Sequence, residues 1–258
     1  MTTVADIVKF VETLAPRSMK MDWDNVGLNC GHSDRPVTKI LVALDPFTHV
    51  CYEAKALGAD LLVTHHALIW KPGFITDGDT QGRNTLFLIE NGIAHINAHT
   101  NLDQAPGGVN DVLAQTLGLQ NVEIINPVGD PAFGLLRCGT VTEQPLDDYL
   151  SHVKNTLHCD GLRYVSSGKP VRKVAVGGGS CAGGMREALE AGCDTFVTAD
   201  VKYNQFWDAQ DLGLNLIDAG HFHTENPVVA VLAAKIAAAF PDVQVKISET
   251  HWDCAKYY

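Results

Sequence analysis

Two adjacent histidines, His65 and His66, close an apolar run (DLLVT), and two further groups of donors lie downstream: His99 and Asp103 in HTNLD, His221 and Glu225 in HFHTE. Imidazole and carboxylate without a neighbouring thiolate form a donor set for Zn, Mn, Fe, Co or Ni rather than for a cysteine-rich structural zinc. Neighbouring histidines on a regular strand point to opposite faces. Where the strand ends they can turn toward one cleft and hold two ions side by side. Asp103 has two acceptor oxygens and could bridge such a pair. His221 and Glu225 are four apart, so a helical turn places them on one face. Two ligand carboxylates against two divalent ions per chain leave positive charge over, enough to acidify a water and attract an anion.

Each of these residues also has a structural reading. A single histidine at a strand end is more often a hydrogen-bonded anchor, and Glu225 could simply favour the positive end of the helix after it. Convergence of five donors at three strand ends favours the metal reading. His223 falls on the far side of a helical turn, while His32, His49, His152, His158 and His251 read as ordinary polar residues.

Alternating strands and helices must position these groups. Val37–Asp45 reads as a buried strand and the stretch to Leu57 as a helix stopped by Gly58. Asp60–Thr64 is a strand, Thr85–Glu90 a helix, and Ile93–Ala98 a strand again. This βαβαβ order predicts an α/β protein with largely parallel sheets, whose ligands sit beyond the carboxyl ends of the strands. The pattern then returns. Val37–Thr64 against Val171–Thr198, a shift of 134, shares nine identities in 28 ungapped positions, and NGIAHINAH (91–99) echoes LGLNLIDAG (212–220). Shared E-A-x-x-x-G-x-D-x-x-V-T indicates an internal duplication. Two similar halves follow, 1–130 with the His-His and HTNLD motifs and 131–258 with a glycine loop and the GHxxxE motif. Further strands are expected in LLRCGTV and LRYVS, and helices at Leu146–Leu157 and Pro227–Phe240.

The glycine loop Gly177-Gly178-Gly179-Ser180-Cys181-Ala182 superficially matches a dinucleotide fingerprint, with Asp200 ending the next strand. Its repeat partner is LDPFTH, so the glycines are not a requirement of the fold. A tight turn, or a backbone cradle for a phosphate, is the preferred reading.

Thirty acidic against 19 basic residues give a net charge of -11, which argues against general nucleic-acid binding and against docking on an anionic membrane. The first residues read as an amphipathic helix rather than a secretory leader, and no apolar run is long enough to span a bilayer. The seven cysteines include no C-x-x-C pair; they are expected to be small core residues in a reducing, cytoplasmic setting.

The segments WDNVGL (23–28), KILVALD (39–45), EAKALGADLLVTHHALIW (53–70), NAHTNLD (97–103), VAVGGGS (174–180), TFVTADVKY (195–203) and DAGHFHTE (218–225) resemble the NIF-three-like family of dinuclear-metal proteins, catalogued as type-two homologues of GTP cyclohydrolase I. The resemblance runs nearly end to end. It implies His65, His66, Asp103, His221 and Glu225 as metal ligands, with His99 in a supporting or proton-transfer role. It also implies a two-domain α/β fold and a toroidal homohexamer. The chain departs from the family pattern at Ala199 and Asn204, where Gly and His are common. The function this implies is a metal-dependent hydrolase of a nucleotide-like small molecule. The alternative is a non-catalytic role in metal storage, delivery or regulation.

Overall fold

The structure, a computed structural model, describes residues 1–71, 73–129 and 132–258. Met1–Ala105 with Val229–Trp252 form one compact unit, and Pro106–Val228 with Asp253–Tyr258 a second. The first unit contains α1 (Val4–Leu14), β1 (Gly27–Cys30), β2 (Lys39–Ala43), α2 (Thr48–Ala56), β3 (Leu61–Thr64), α3 (Thr80–Glu90), β4 (Ala94–Asn97) and α4 (Thr100–Gln104). The second contains α5 (Val109–Thr116), β5 (Gln120–Ile125), β6 (Leu136–Gln144), α6 (Leu146–Thr156), β7 (Arg163–Val165) and β8 (Val171–Val176). It continues with α7 (Met185–Glu190), β9 (Thr195–Thr198), α8 (Tyr203–Leu212), β10 (Asn215–Asp218) and α9 (His221–Glu225). The chain then passes through α10 (Pro227–Ala239) and returns to the first sheet as β11 (Gln244–Ile247).

The boundary expected between residues 130 and 131 lies outside the described residues, and the compact units divide elsewhere, between Ala105 and Pro106. The reason is β5, which pairs antiparallel with β6 and so belongs to the second sheet. The expected second half also loses its end, because β11 pairs with β2.

The first sheet has the order β1-β4-β3-β2-β11. Its neighbours are parallel except β1, which runs antiparallel to β4. Thr3 starts α1 through a capping box, its hydroxyl accepting from Asp6 N at 3.3 Å while the Asp6 carboxylate accepts from Thr3 N at 2.8 Å. Leu41, Val50, Cys51, Ala54, Leu62 and Leu88 pack α2 and α3 against the sheet. The second sheet, β5-β6-β8-β9-β10-β7, keeps β8, β9 and β10 parallel and adds antiparallel strands at both sides. Alternation along its strands fills two faces. Val174, Val176, Val197 and Ile217 join Tyr149 and Val153, whereas Ala175, Phe196 and Leu216 join Met185 and Ala209.

The repeat seen in the sequence is a repeat of register. Ile40 faces Leu61 and Val42 faces Val63; in the second sheet Val174 faces Thr195 and Val176 faces Val197. Asp60 accepts from the backbone of Thr38 and Lys39, and Asp194 from that of Arg172 and Lys173. Lys39 Nζ donates to Leu57 O, and Lys173 Nζ to Ala191 O. Gly58 and Gly192 close the matching helices at φ 65° and 79°, where a left-handed backbone suits glycine. Six of the cysteines are buried and Cys254 is exposed, all of them free. No helix among the described residues is long and apolar enough to cross a membrane.

Candidate metal centre

In the first unit β3 ends at Thr64, and the next two residues are the candidate histidines. Thr64 Oγ1 donates to His66 O at 2.5 Å and bonds His95 Nε2 at 2.8 Å, which fixes the turn. His95 is fully buried, and burial pushes its imidazole down to about 3, so it stays neutral there. His65 Nδ1 lies 2.8 Å from Ala98 O. His66 Nδ1 lies 2.6 Å from Asp45 Oδ1. Both rings are thereby held at Nδ1. Burial alone would raise the Asp45 carboxyl, but hydrogen bonds from His251 and His66 outweigh it and hold the acid well below its ordinary range.

His99 joins this pair from the end of β4, its ring centre 5.2 Å from that of His65 and 5.4 Å from that of His66. Its Nδ1 is 2.9 Å from Asp24 Oδ1, and Asp24 Oδ2 also accepts from Thr100 N and Oγ1 at 3.0 and 2.5 Å. Burial would raise Asp24, but the bonds from His99 and Thr100 bring it down to about 2. Asp103, one turn into α4, has Oδ1 3.5 Å from His65 Nε2. All four residues are buried, and one ring nitrogen each of His65, His66 and His99 could hold a cation together.

In the second unit α9 is preceded by its N-cap Gly220, whose φ of 83° turns the chain out of β10. His221 Nε2 lies 3.0 Å from Glu225 Oε2 in the i, i+4 relation, and His221 Nδ1 lies 2.7 Å from Asp200 Oδ2. Asp200 sits just past β9 with φ 51°. The glycine loop lies against this pair. A Cβ on Gly179 would collide with Glu225 Oε1 and lie 3.1 Å from Glu225 Cδ and His221 Cε1. The loop's donors are also engaged: Gly177 N with Val197 O, Gly178 N with Asn110 Oδ1, and Gly179 N with Thr224 Oγ1. The loop therefore clears space for Glu225, and the phosphate cradle is replaced by a cradle for a side chain.

The family model described as Duf34/NIF3 (NGG1p interacting factor 3) matches residues 2–253. The chain belongs to the NIF3 family. It is 37% identical over 236 residues to the GTP cyclohydrolase 1 type 2 homolog of Clostridium perfringens, covering 90% of each chain. It is 34% identical to the Clostridium acetobutylicum protein of the same name, over 92% of this chain and 90% of the relative. The crystal structure of a Bacillus cereus protein related to NIF3 superposes with a TM-score of 0.94 at 26% identity, over 100% of this chain and 99% of that one.

The donors of this NIF3 chain fit divalent cations. His65, His66 and His221 each have an oxygen acceptor at Nδ1, the arrangement that places the proton there and leaves the Nε2 lone pair for a metal. His221 Nε2 and His65 Nε2 lie 3.0 and 3.5 Å from carboxylate oxygens of Glu225 and Asp103, so each pair offers a cation nitrogen and oxygen donors side by side. Sequence reasoning missed Asp45 and Asp24 as partners of His66 and His99. The signal for Asp45 was its place at the carboxyl end of KILVALD. Asp200 was noted at a strand end, without a role. His223 is turned elsewhere, with Nδ1 3.1 Å from Leu157 O and Nε2 3.3 Å from Asp253. Asn204 is exposed and bonds Asp208 at 3.4 Å, and Ala199 is fully buried.

Proposed function

We propose that His65, His66, Asp103, His221 and Glu225 are ligands of two divalent ions, and that the protein is a metal-dependent hydrolase of a nucleotide-like small molecule. The observation that carries this reading is the common state of the three histidines, each engaged at Nδ1 by oxygen. Bound ions would acidify a water and polarise the electrophilic carbon or phosphorus. The names of the Clostridium relatives support a nucleotide as the substrate class.

The chain's own residues supply the rest. Asp24, ionised across neutral pH, holds His99 by Nδ1 and leaves Nε2 to take up or release a proton. Trp23 and Trp70 set their rings 5.9 and 5.0 Å from that of His99. His99 shares this state at Nδ1, so its reading as a proton carrier rather than a further ligand is tested by His99→Ala, expected to keep the metal and slow turnover. An unbiased metabolite screen on metal-loaded protein, with Asp103→Asn as control, tests the reading. Consumption of a nucleotide-like compound by the wild type alone is the expected result. Turnover that survives complete chelation would exclude it.

A further inference from the structure

Beyond β11 the chain has no regular structure, yet it is fastened. Ser248 N donates to Val42 O at 2.8 Å. The Glu53 carboxylate accepts from Ser248 Oγ at 2.5 Å, Glu249 N at 2.9 Å and Thr250 Oγ1 at 2.7 Å. Burial would raise the Glu53 carboxyl, but these bonds outweigh it and hold it below its ordinary value. The clasp delivers His251, whose side chain is 4% exposed, to Asp45: His251 Nε2 lies 3.0 Å from Asp45 Oδ2. Asp45 Oδ1 is the oxygen that holds His66 Nδ1. His251 also stacks on His49, with ring centres 6.0 Å apart and planes at 13°, and Phe47 packs 6.1 Å away.

We propose that His251 is a positioning residue for His66, acting through Asp45, and that the Glu53 clasp on residues 248–250 is what keeps it in place. The inference rests on the reading of His66 as a metal ligand, but its geometric core concerns the metal-free chain. An ionised carboxylate is acceptor-only. With both of its oxygens engaged, Asp45 has one orientation, and the proton on His66 is held at Nδ1. Without His251, one oxygen of the half-buried Asp45 loses its donor, and the carboxylate can turn so that its contact with His66 slackens. His66 then samples the tautomer that carries its proton on Nε2, the nitrogen a metal needs bare. Partners one bond removed from a ligand typically change metal affinity 10- to 100-fold. His251 is two bonds removed, so the expected loss is about tenfold, at the lower end of that range.

The test uses the full chain with His251→Ala, His251→Gln and Glu53→Gln. Cobalt affinity is measured by competition with a chromogenic chelator, and the His66 tautomer by nitrogen-15 spectra of the metal-free protein. His251→Ala is expected to weaken cobalt binding about tenfold and to mix the tautomers. His251→Gln, which keeps an N–H donor, is expected to restore most of both. Glu53→Gln should resemble His251→Ala, and the double variant should lose no more than either alone, because the two act through one contact. If His251→Ala fails to fold, Glu53→Gln carries the same test. Unchanged affinity together with an unchanged His66 tautomer would overturn the proposal. A wild type that binds no cobalt would instead sink the metal reading, and the tautomer spectra would still decide the role of His251.

Discussion

Strands β3 and β9 hold the same place in their two sheets, with the same register to their neighbours, yet they end in different chemistry. After β3 come His65 and His66; after β9 come Ala199 and Asp200. The short helices α4 and α9 also match, each beginning three residues after the equivalent strand. In α4 the acid is Asp103, the fourth residue, and in α9 it is Glu225, the fifth. The loop after the first strand of each repeat differs too, with Asp45 in one unit where Gly179 stands in the other. Asp45 orients a histidine, and Gly179 makes room for a glutamate. The duplicated scaffold is kept by buried strands and by Asp60 and Asp194, while the donors were assigned separately at the strand ends. Fold and function thus draw on different residues of the same repeat.

The largest expected effect separates the two units by metal content. Asp103→Ala should lose most of both ions, because a bridging carboxylate serves both, whereas His221→Ala should lose about one. Elemental analysis after loading reads this directly. A loss confined to one ion in Asp103→Ala would remove the bridging role, and equal losses in both variants would erase the asymmetry between the units.

Next comes the Asp45/Gly179 difference. Gly179→Ala places a Cβ against Glu225 at a positive φ of 61°, so it should cost about 1–3 kcal/mol of stability and weaken metal binding as well. Asp45→Gly should leave the second unit's donors untouched and affect His66. Thermal melts of the metal-free variants check the first part; an unchanged melting temperature for Gly179→Ala would mean that Glu225 is free to move.

A smaller effect is expected at the scaffold acids. Asp60→Asn and Asp194→Asn should each cost about 1 kcal/mol, from loss of hydrogen bonds to a charged acceptor. Burial would raise the Asp60 carboxyl, but bonds from the Thr38 backbone and hydroxyl and from Lys39 N lower it on balance. A depressed carboxyl stabilises the fold above its unfolded value, near 3.9, and that contribution disappears as pH falls through the folded value. Asp60→Asn should therefore flatten the acid limb of stability below about pH 4. An acid limb identical to wild type would contradict the role given to these bonds. Smallest of all, NAD, NADP and FAD should give no saturable heat in calorimetric titration, since the loop's glycine donors are spent internally; micromolar binding would revive the dinucleotide reading.

Much of this was legible in the sequence, for a physical reason in each case. The repeat was visible because Gly58, Asp60 and Thr64 serve a helix stop, a backbone clasp and a strand end, and each recurs at 192, 194 and 198. The candidate donors stood out because histidine and carboxylate recur at strand ends, where side chains can turn toward one cleft. What stayed hidden depends on contacts distant in the chain. Asp45 meets His66 across 21 positions and His251 across 206, so no local pattern announces that His251 belongs near the centre. The return of the chain end was hidden for the same reason: β11 joins β2 from the other end of the chain.

The central claim is the proposed ligand set, His65, His66, Asp103, His221 and Glu225, for two divalent ions. Anomalous diffraction from crystals of cobalt- or zinc-loaded protein tests it most directly. The account predicts two peaks per chain, with Nε2 of His65, His66 and His221 among the ligands and Asp103 shared between the ions. A single peak, or peaks bound by other residues while these nitrogens stay bare, would contradict it.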